Sequence, residues 1–167
     1  SGFIGTRLCS RLFKKNIAFN VVDKEDGHHC SKNYGFANVC SVEDLRKAIP
    51  ESCDVLINLA AEHRDDVRPK SLYDEVNVDG ARNLCKVASE KCIQHIIFTS
   101  SVAVYGFAPV DTGEAGEINY FNDYGRTKWL AEGVFKEWQA EDPSNRTLVI
   151  VRPTVVFGEQ NRGNVYN

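Results

Sequence analysis

Tyr124 and Lys128 stand four residues apart in the run Tyr124-Gly125-Arg126-Thr127-Lys128. On a helix that spacing puts both side chains on one face, close enough to interact. A phenol ordinarily holds its proton to a pKa of about 10, too high for a base near neutral pH. An ammonium beside it favours the phenolate and draws that value down. The pair can then take a proton from a sugar or alcohol hydroxyl, or return it. The same spacing also occurs on solvated helix faces, where it means only two polar side chains in water.

Two further features bear on the choice. Gly2 and Gly5, in Ser1-Gly2-Phe3-Ile4-Gly5, open a helical stretch. Glycines there let backbone approach a pyrophosphate, whose charge faces the helix N-terminus. The same residues also read as a helix cap with two incidental glycines. Asp23 ends the next apolar run, at about the 20-residue separation from the glycines that dinucleotide sites use. A carboxylate there accepts hydrogen bonds from a ribose diol and repels a 2′-phosphate, which favours NAD over NADP.

The elements that must position these residues follow from hydrophobic periodicity. Helical spacing appears over 6–15, 42–49, 72–91 and 120–140. Short apolar runs at 17–23, 36–40, 52–61, 95–104 and 148–152 read as strands, the last stopped by Pro153. Continuous rather than alternating apolar character, with strands alternating with helices, predicts βαβ units around a buried parallel sheet. In such sheets ligands bind at the carboxyl ends of the strands. Residues 24–34 read as a polar loop.

Composition narrows the partners. The 167 residues have room for one domain; 43% are hydrophobic, 26% are charged, and the net charge is −3. No strongly basic surface is implied, which argues against nucleic acid and anionic membranes. No stretch approaches the roughly 20 apolar residues of a membrane span, and no signal peptide opens the chain. A cytoplasmic location is expected. The six cysteines (Cys9, Cys30, Cys40, Cys53, Cys85 and Cys92) show no metal-ligand spacing, so no metal site is predicted, and reduced thiols suit that compartment. His28-His29-Cys30 lacks a second ligand pair and reads as solvated loop. There is no methionine, even at position 1, which leads to the expectation that the chain is a fragment.

Six blocks, in this order, carry a resemblance: GFIG at 2–5, INLAA at 57–61, Asn77-Val78-Asp79-Gly80, FTSSVAVYG at 98–106, YGRTK at 124–128 and RPTVVFG at 152–158. The chain resembles an extended short-chain dehydrogenase/reductase of the NAD-dependent epimerase/dehydratase family, which works on nucleotide sugars. The resemblance implies an α/β, doubly wound parallel sheet of Rossmann-like type, truncated, with its first strand missing. Residues 1–167 would be an NAD-binding domain fragment, with the C-terminal substrate region absent. It further implies NAD as cofactor, a nucleotide-sugar substrate and a homodimer for the intact protein.

Carried over by motif, Ser101 matches the serine that holds the reacting sugar oxygen, Tyr124 the acid/base, and Lys128 the residue that lowers the tyrosine pKa and binds the nicotinamide ribose. Ser100 is the competing serine; the spacing to Val104-Tyr105-Gly106 selects Ser101. Gly2, Phe3, Ile4, Gly5, Asp23 and Lys24 match positions around the pyrophosphate and adenosine. Asn38, with Val39, stands where relatives often have Asp beside the adenine. Leu59, Ala60 and Ala61 match the cofactor-lining strand end, and Asn77 and Pro153 match positions near the nicotinamide. His63, where related epimerases carry Lys, reads as a surface histidine.

Sugar dehydratases carry a carboxylate just after the serine, because elimination of water needs further acid and base groups. Here Ser101-Val102-Ala103-Val104 has none. That leaves epimerisation through a transient ketone, as in a UDP-glucose 4-epimerase. The alternatives are an NAD(P)-dependent reductase or dehydratase of nucleotide sugars, and a non-catalytic dinucleotide-binding module.

Overall fold

The structure is a computed structural model that describes residues 2–25 and 34–158. The run His28-His29-Cys30 lies outside the described residues. Helix α1 (Phe3–Lys14) starts at Gly2 and carries Arg11 and Lys14 in its last turn, where cations complement the helix dipole. Strand β1 (Val21–Asp23) pairs in parallel with β2 (Tyr34–Phe36), Asp23 opposite Phe36. The strand expected from residue 17 is therefore paired only over its last three residues.

The strand expected at 36–40 is displaced as well. Asn38 Oδ1 accepts from the Cys40 N–H at 3.0 Å, and its carbonyl accepts from the Ser41 N–H at 2.9 Å. This side-chain turn diverts the chain from the sheet. Ser41 then caps α2 (Val42–Ala48), accepting from the Asp44 N–H at 3.2 Å.

A second sheet contains β3 (Val55–Asn58), β4 (His95–Thr99) and β5 (Thr147–Val151), all parallel and in that spatial order. The expected doubly wound sheet is thus present as two parallel parts, which do not hydrogen-bond to one another. The helix expected over 72–91 is helical throughout but not uniform. It comprises α3 (Ser71–Tyr73), a π segment at Asp74–Asp79 and α4 (Gly80–Glu90).

The core lies where α2, α4 and α5 (Asp123–Ala140) pack on one face of β3–β4–β5. Phe98 of β4 and Phe135 of α5 are fully buried with ring centroids 4.6 Å apart. Trp138 is buried beneath the Arg146 guanidinium, 4.8 Å from its ring centroid, and its indole N–H has no partner among the described residues. The opposite face of the sheet is open: Val55, Ile57, Val149 and Val151 are between 37% and 46% exposed. Burial along β3 therefore alternates, contrary to the continuous burial expected from its apolar run. Among the described residues, no helix is long and apolar enough to cross a membrane.

Candidate active site

Helix α5 begins at Asn122, whose extended backbone and side chain form the cap; Oδ1 accepts from the Gly125 N–H at 2.8 Å. The helix therefore starts after the position 120 expected from periodicity. Gly125 faces the 3₁₀ turn at Val102–Tyr105 so closely that an added Cβ would collide with the Ala103 carbonyl oxygen. A residue without a side chain is what lets the first turn of α5 touch that turn. Ser101 caps the turn, its Oγ accepting from the Ala103 N–H at 3.1 Å.

This contact brings the turn capped by Ser101 against the first turn of α5, which carries Tyr124. Burial pushes the Tyr124 phenol above its ordinary value, and the Ser101 hydroxyl pulls it partly back. Lys128 is 3% exposed, with Nζ 4.6 Å from the Phe98 ring centroid and 5.9 Å from that of Tyr124. Burial pushes its ammonium down to about 8, and the Glu132 carboxylate opposes that fall. The lysine's own charge is weakened by desolvation, and Ser101 is the group that acts on the phenol.

Ser100 is occupied elsewhere: it is 2% exposed and its Oγ donates to Glu132 Oε1 at 2.6 Å. Glu132 also receives Arg152 through Nε at 2.8 Å and Nη2 at 2.6 Å. Burial alone would raise this carboxyl, but the hydrogen bonds from Arg152 and Ser100 outweigh it and hold it below the usual range. Arg152 continues to the Tyr105 hydroxyl and, at 3.1 Å, to the Glu114 carbonyl. Its guanidinium also lies 5.8 Å from the Trp129 ring centroid, with Lys136 Nζ 4.7 Å from the same centroid. The sequence reading passed over Glu132 and Arg152. The signal available was the i, i+4 series Tyr124, Lys128, Glu132 on one helical face.

Asn77 sits in the π segment, a wider turn than the α-helix and one often found at functional sites. Its Nδ2 donates to the Glu62 carbonyl and to Thr127 Oγ1, both at 3.0 Å, and its Oδ1 accepts from the Glu62 N–H at 2.8 Å. It thereby ties the turn after β3 to α5 beside Lys128. Burial disfavours the Glu62 charge, yet N–H groups of Arg64 and His63 hold that carboxyl below its usual range.

The remaining predicted residues fall mostly at strand ends. Leu59, Ala60 and Ala61 follow β3, and Leu59 Cδ1 lies 3.7 Å from where a Gly5 Cβ would stand. That places the α1 N-terminus at the end of β3. Gly2 faces open space, Ile4 is partly exposed, and the Phe3 ring is covered by the Arg7 guanidinium at 3.9 Å. Pro153 follows β5, and its carbonyl accepts from the Val102 N–H at 3.1 Å. Asp23 ends β1, with Oδ1 accepting from the Glu25 N–H at 3.0 Å, and Lys24 beside it is exposed. Val39 turns away: its side chain packs on Gly80 of α4, and its carbonyl accepts from Asn83 Nδ2 at 2.9 Å. Asn38 spends its side-chain oxygen on the local turn. His63 is exposed.

These residues suit a dinucleotide. The N-terminus of α1 has no side-chain cap and no acid in its first turn, so its amides and dipole favour a pyrophosphate. Ser101, Tyr124 and Lys128 lie beyond the end of β4 with a donor, an acid/base and a cation. Among the described residues no cluster of His, Cys, Asp or Glu could hold a metal ion.

Residues 1–166 match the family model described as NAD dependent epimerase/dehydratase family. The chain is 45% identical to N-acetyl-alpha-D-glucosaminyl-diphospho-ditrans,octacis-undecaprenol 4-epimerase of Escherichia coli O157:H7, over 100% of this chain and 50% of that protein. It is 31% identical to UDP-glucose 4-epimerase of Vibrio cholerae, over 95% of this chain and 50% of the relative. Among solved structures, the UDP-glucose 4-epimerase from Brucella ovis in complex with NAD superposes with a TM-score of 0.81 at 26% identity, over 90% of this chain and 48% of that one. The chain spans about half the length of the curated relatives it matches.

Proposed function

The chain belongs to the NAD-dependent epimerase/dehydratase family, and from that premise we propose that the whole protein epimerises a diphosphate-linked sugar with NAD as its cofactor. The observation that carries this reading is the packing of the first turn of α5, with Tyr124, on the turn that Ser101 caps, with buried Lys128 one turn further along α5. Residues 1–167 form the cofactor domain in this proposal, and a substrate region lies elsewhere in the protein.

NAD, when bound, supplies the hydride acceptor that oxidation of a carbinol requires, and the donor for its reversal. The chain's residues handle the proton and the geometry. Ser101, capping the turn on which α5 packs, orients the sugar oxygen. Tyr124 takes that oxygen's proton as the carbon is oxidised to a ketone, and gives it back after the sugar has presented its other face. Lys128 supplies a cation in a site that excludes water, where charge counts for more. No carboxylate follows Ser101 to drive elimination of water, which favours inversion over dehydration.

A second substrate reading has its own observation. Phe107 and Phe121 stack with centroids 4.6 Å apart, are 84% and 59% exposed, and lie on the segment leading to the Asn122 cap. An exposed apolar patch beside the site suits a lipid tail. It accords with a polyprenyl diphosphate sugar, the substrate class in the name of the Escherichia coli relative.

The test is turnover by the full-length protein of UDP- and GDP-sugars and of an undecaprenyl diphosphate-linked N-acetylglucosamine. Inverted sugar without net NADH supports epimerisation, and its appearance only with the lipid-linked substrate selects the second reading. Steady consumption of NAD(P)H would indicate a reductase instead. Tight NAD binding with no turnover would indicate a binding module.

A further inference from the structure

One turn beyond Lys128, the buried face of α5 carries Glu132, which is 0% exposed. A carboxylate so placed is tolerated only when its charge and lone pairs are met. Its Oε1 receives Ser100 Oγ at 2.6 Å and Arg152 Nε at 2.8 Å; its Oε2 receives Arg152 Nη2 at 2.6 Å and Lys136 Nζ at 3.5 Å. The surroundings are apolar, with Ala131 and Phe135 of the same helix and Phe98 of β4 all buried. An apolar side chain of similar volume often stabilises such a place as well as an ion pair does. Stability alone therefore does not account for a charge at this place.

A further role is legible in where the two arms lead. Ser100 immediately precedes Ser101, and its N–H is held by the Val151 carbonyl at 2.7 Å. Arg152 immediately precedes Pro153, whose carbonyl holds the Val102 N–H at 3.1 Å. Ser101 thus lies between two segments that are each fastened to the same carboxylate. Through the Tyr105 hydroxyl and the Glu114 carbonyl, Arg152 extends the tie to the 3₁₀ turn and the loop beyond it.

We propose that Glu132 is a positioning residue for the epimerisation: by anchoring Ser100 and Arg152 to α5 it holds the Ser101 segment in place against the helix that carries Tyr124. The assignment rests on reading Ser101, Tyr124 and Lys128 as the reacting group. Glu132 touches neither substrate nor cofactor in this role; it sets the distance between two residues that do.

Three variants of the full-length protein test this. Glu132→Gln removes the charge and mismatches the amide against Arg152. Ser100→Ala removes one arm and leaves the ion pair. The double variant Glu132→Gln with Arg152→Gln exchanges the ion pair for an amide pair. A misplacement of the hydroxyl by about 1 Å costs on the order of 100-fold in rate. Glu132→Gln is accordingly expected to lose kcat on that scale, and Ser100→Ala roughly a tenth as much. KM and NAD affinity should stay near wild type. The double variant should regain thermal stability without regaining kcat.

A second readout is independent of turnover: the titration of Tyr124, followed by phenolate absorbance against a Tyr124→Phe background. Among the described residues, Ser101 at the start of the 3₁₀ turn draws that phenol down against its burial, and Lys128 Nζ of its own helix lies 5.9 Å from the ring centroid. Displacement of the Ser101 hydroxyl away from the phenol should move the titration to higher pH in Glu132→Gln and in Ser100→Ala. An unmoved titration in both, or kcat returning together with stability in the double variant, overturns the proposal. Shifted titration in a protein that turns over no sugar would leave the positioning role standing and sink the epimerase reading alone.

Discussion

In the proposed reaction Tyr124 is the acid/base, working from a position that burial makes unfavourable for a phenolate. Tyr124→Phe in the full-length protein is expected to lower kcat by about 10²- to 10⁴-fold, the range for loss of a general acid/base, with an unchanged melting curve. Lys128 has a consequence that stability measurements can reach. Its value in the fold is about 8 against 10.5 for an ordinary lysine. Between those values the unfolded chain keeps a proton that the folded chain has released, so stability rises with pH across the window. Below about 8 both states are charged, and the full cost of burying the ammonium is present. Lys128→Met should therefore raise the melting temperature at pH 7, by an amount that shrinks as pH approaches 10.5. A variant less stable than the parent at pH 7 would contradict this. The sequence shows the spacing of Tyr124 and Lys128 but not the exclusion of water around them. Motif spacing selected Ser101 over Ser100, and the buried Glu132 shows where the Ser100 hydroxyl is engaged.

At the scale of elements, α5 does most of the positioning, and its start is set by Asn122. Asn122→Ala removes the acceptor of the Gly125 N–H and should cost about 1 kcal/mol in urea unfolding at unchanged m-value. The same substitution loosens the turn that carries Tyr124, so a measurable loss of kcat should accompany it. No change in either quantity would mean that the contact with the 3₁₀ turn alone fixes the helix start. Among the described residues periodicity located the α-helices by their apolar stripes, but it read the 3₁₀ turn at Val102–Tyr105 as part of the strand expected at 95–104. It placed strand ends poorly, since Asn38 and the 3₁₀ turn end pairing by local hydrogen bonds that carry no apolar signature. The π segment was not foreseen either. Its sequence, Asp74–Asp79, has an ordinary helical pattern, and the wider turn that carries Asn77 shows only in three dimensions.

At the scale of the molecule, the two parallel sheets and the open face of β3–β4–β5 determine how the 167-residue chain behaves alone. Val55, Ile57, Val149 and Val151 present an apolar surface of the kind that drives association. Replacing Val149 and Val151 with Thr should shift the isolated chain toward monomer in analytical ultracentrifugation without lowering its melting temperature. The isolated chain is also expected to bind NAD weakly or undetectably by calorimetric titration, and micromolar affinity would refute that. The parallel βαβ order was legible from the apolar runs and the helices between them. The exposure of one sheet face was not, because an apolar residue reads the same whether or not something covers it. The placement of the two tryptophans has a practical consequence of another kind. Both lie on α5, one dry and shielded under Arg146, the other at position 129 between Lys136 and the Arg152 that Glu132 holds. Nature has thus fitted the helix with two lamps of different colour. The shielded indole should emit toward the blue and stay constant, while Trp129 should brighten or dim whenever the guanidinium beside it moves.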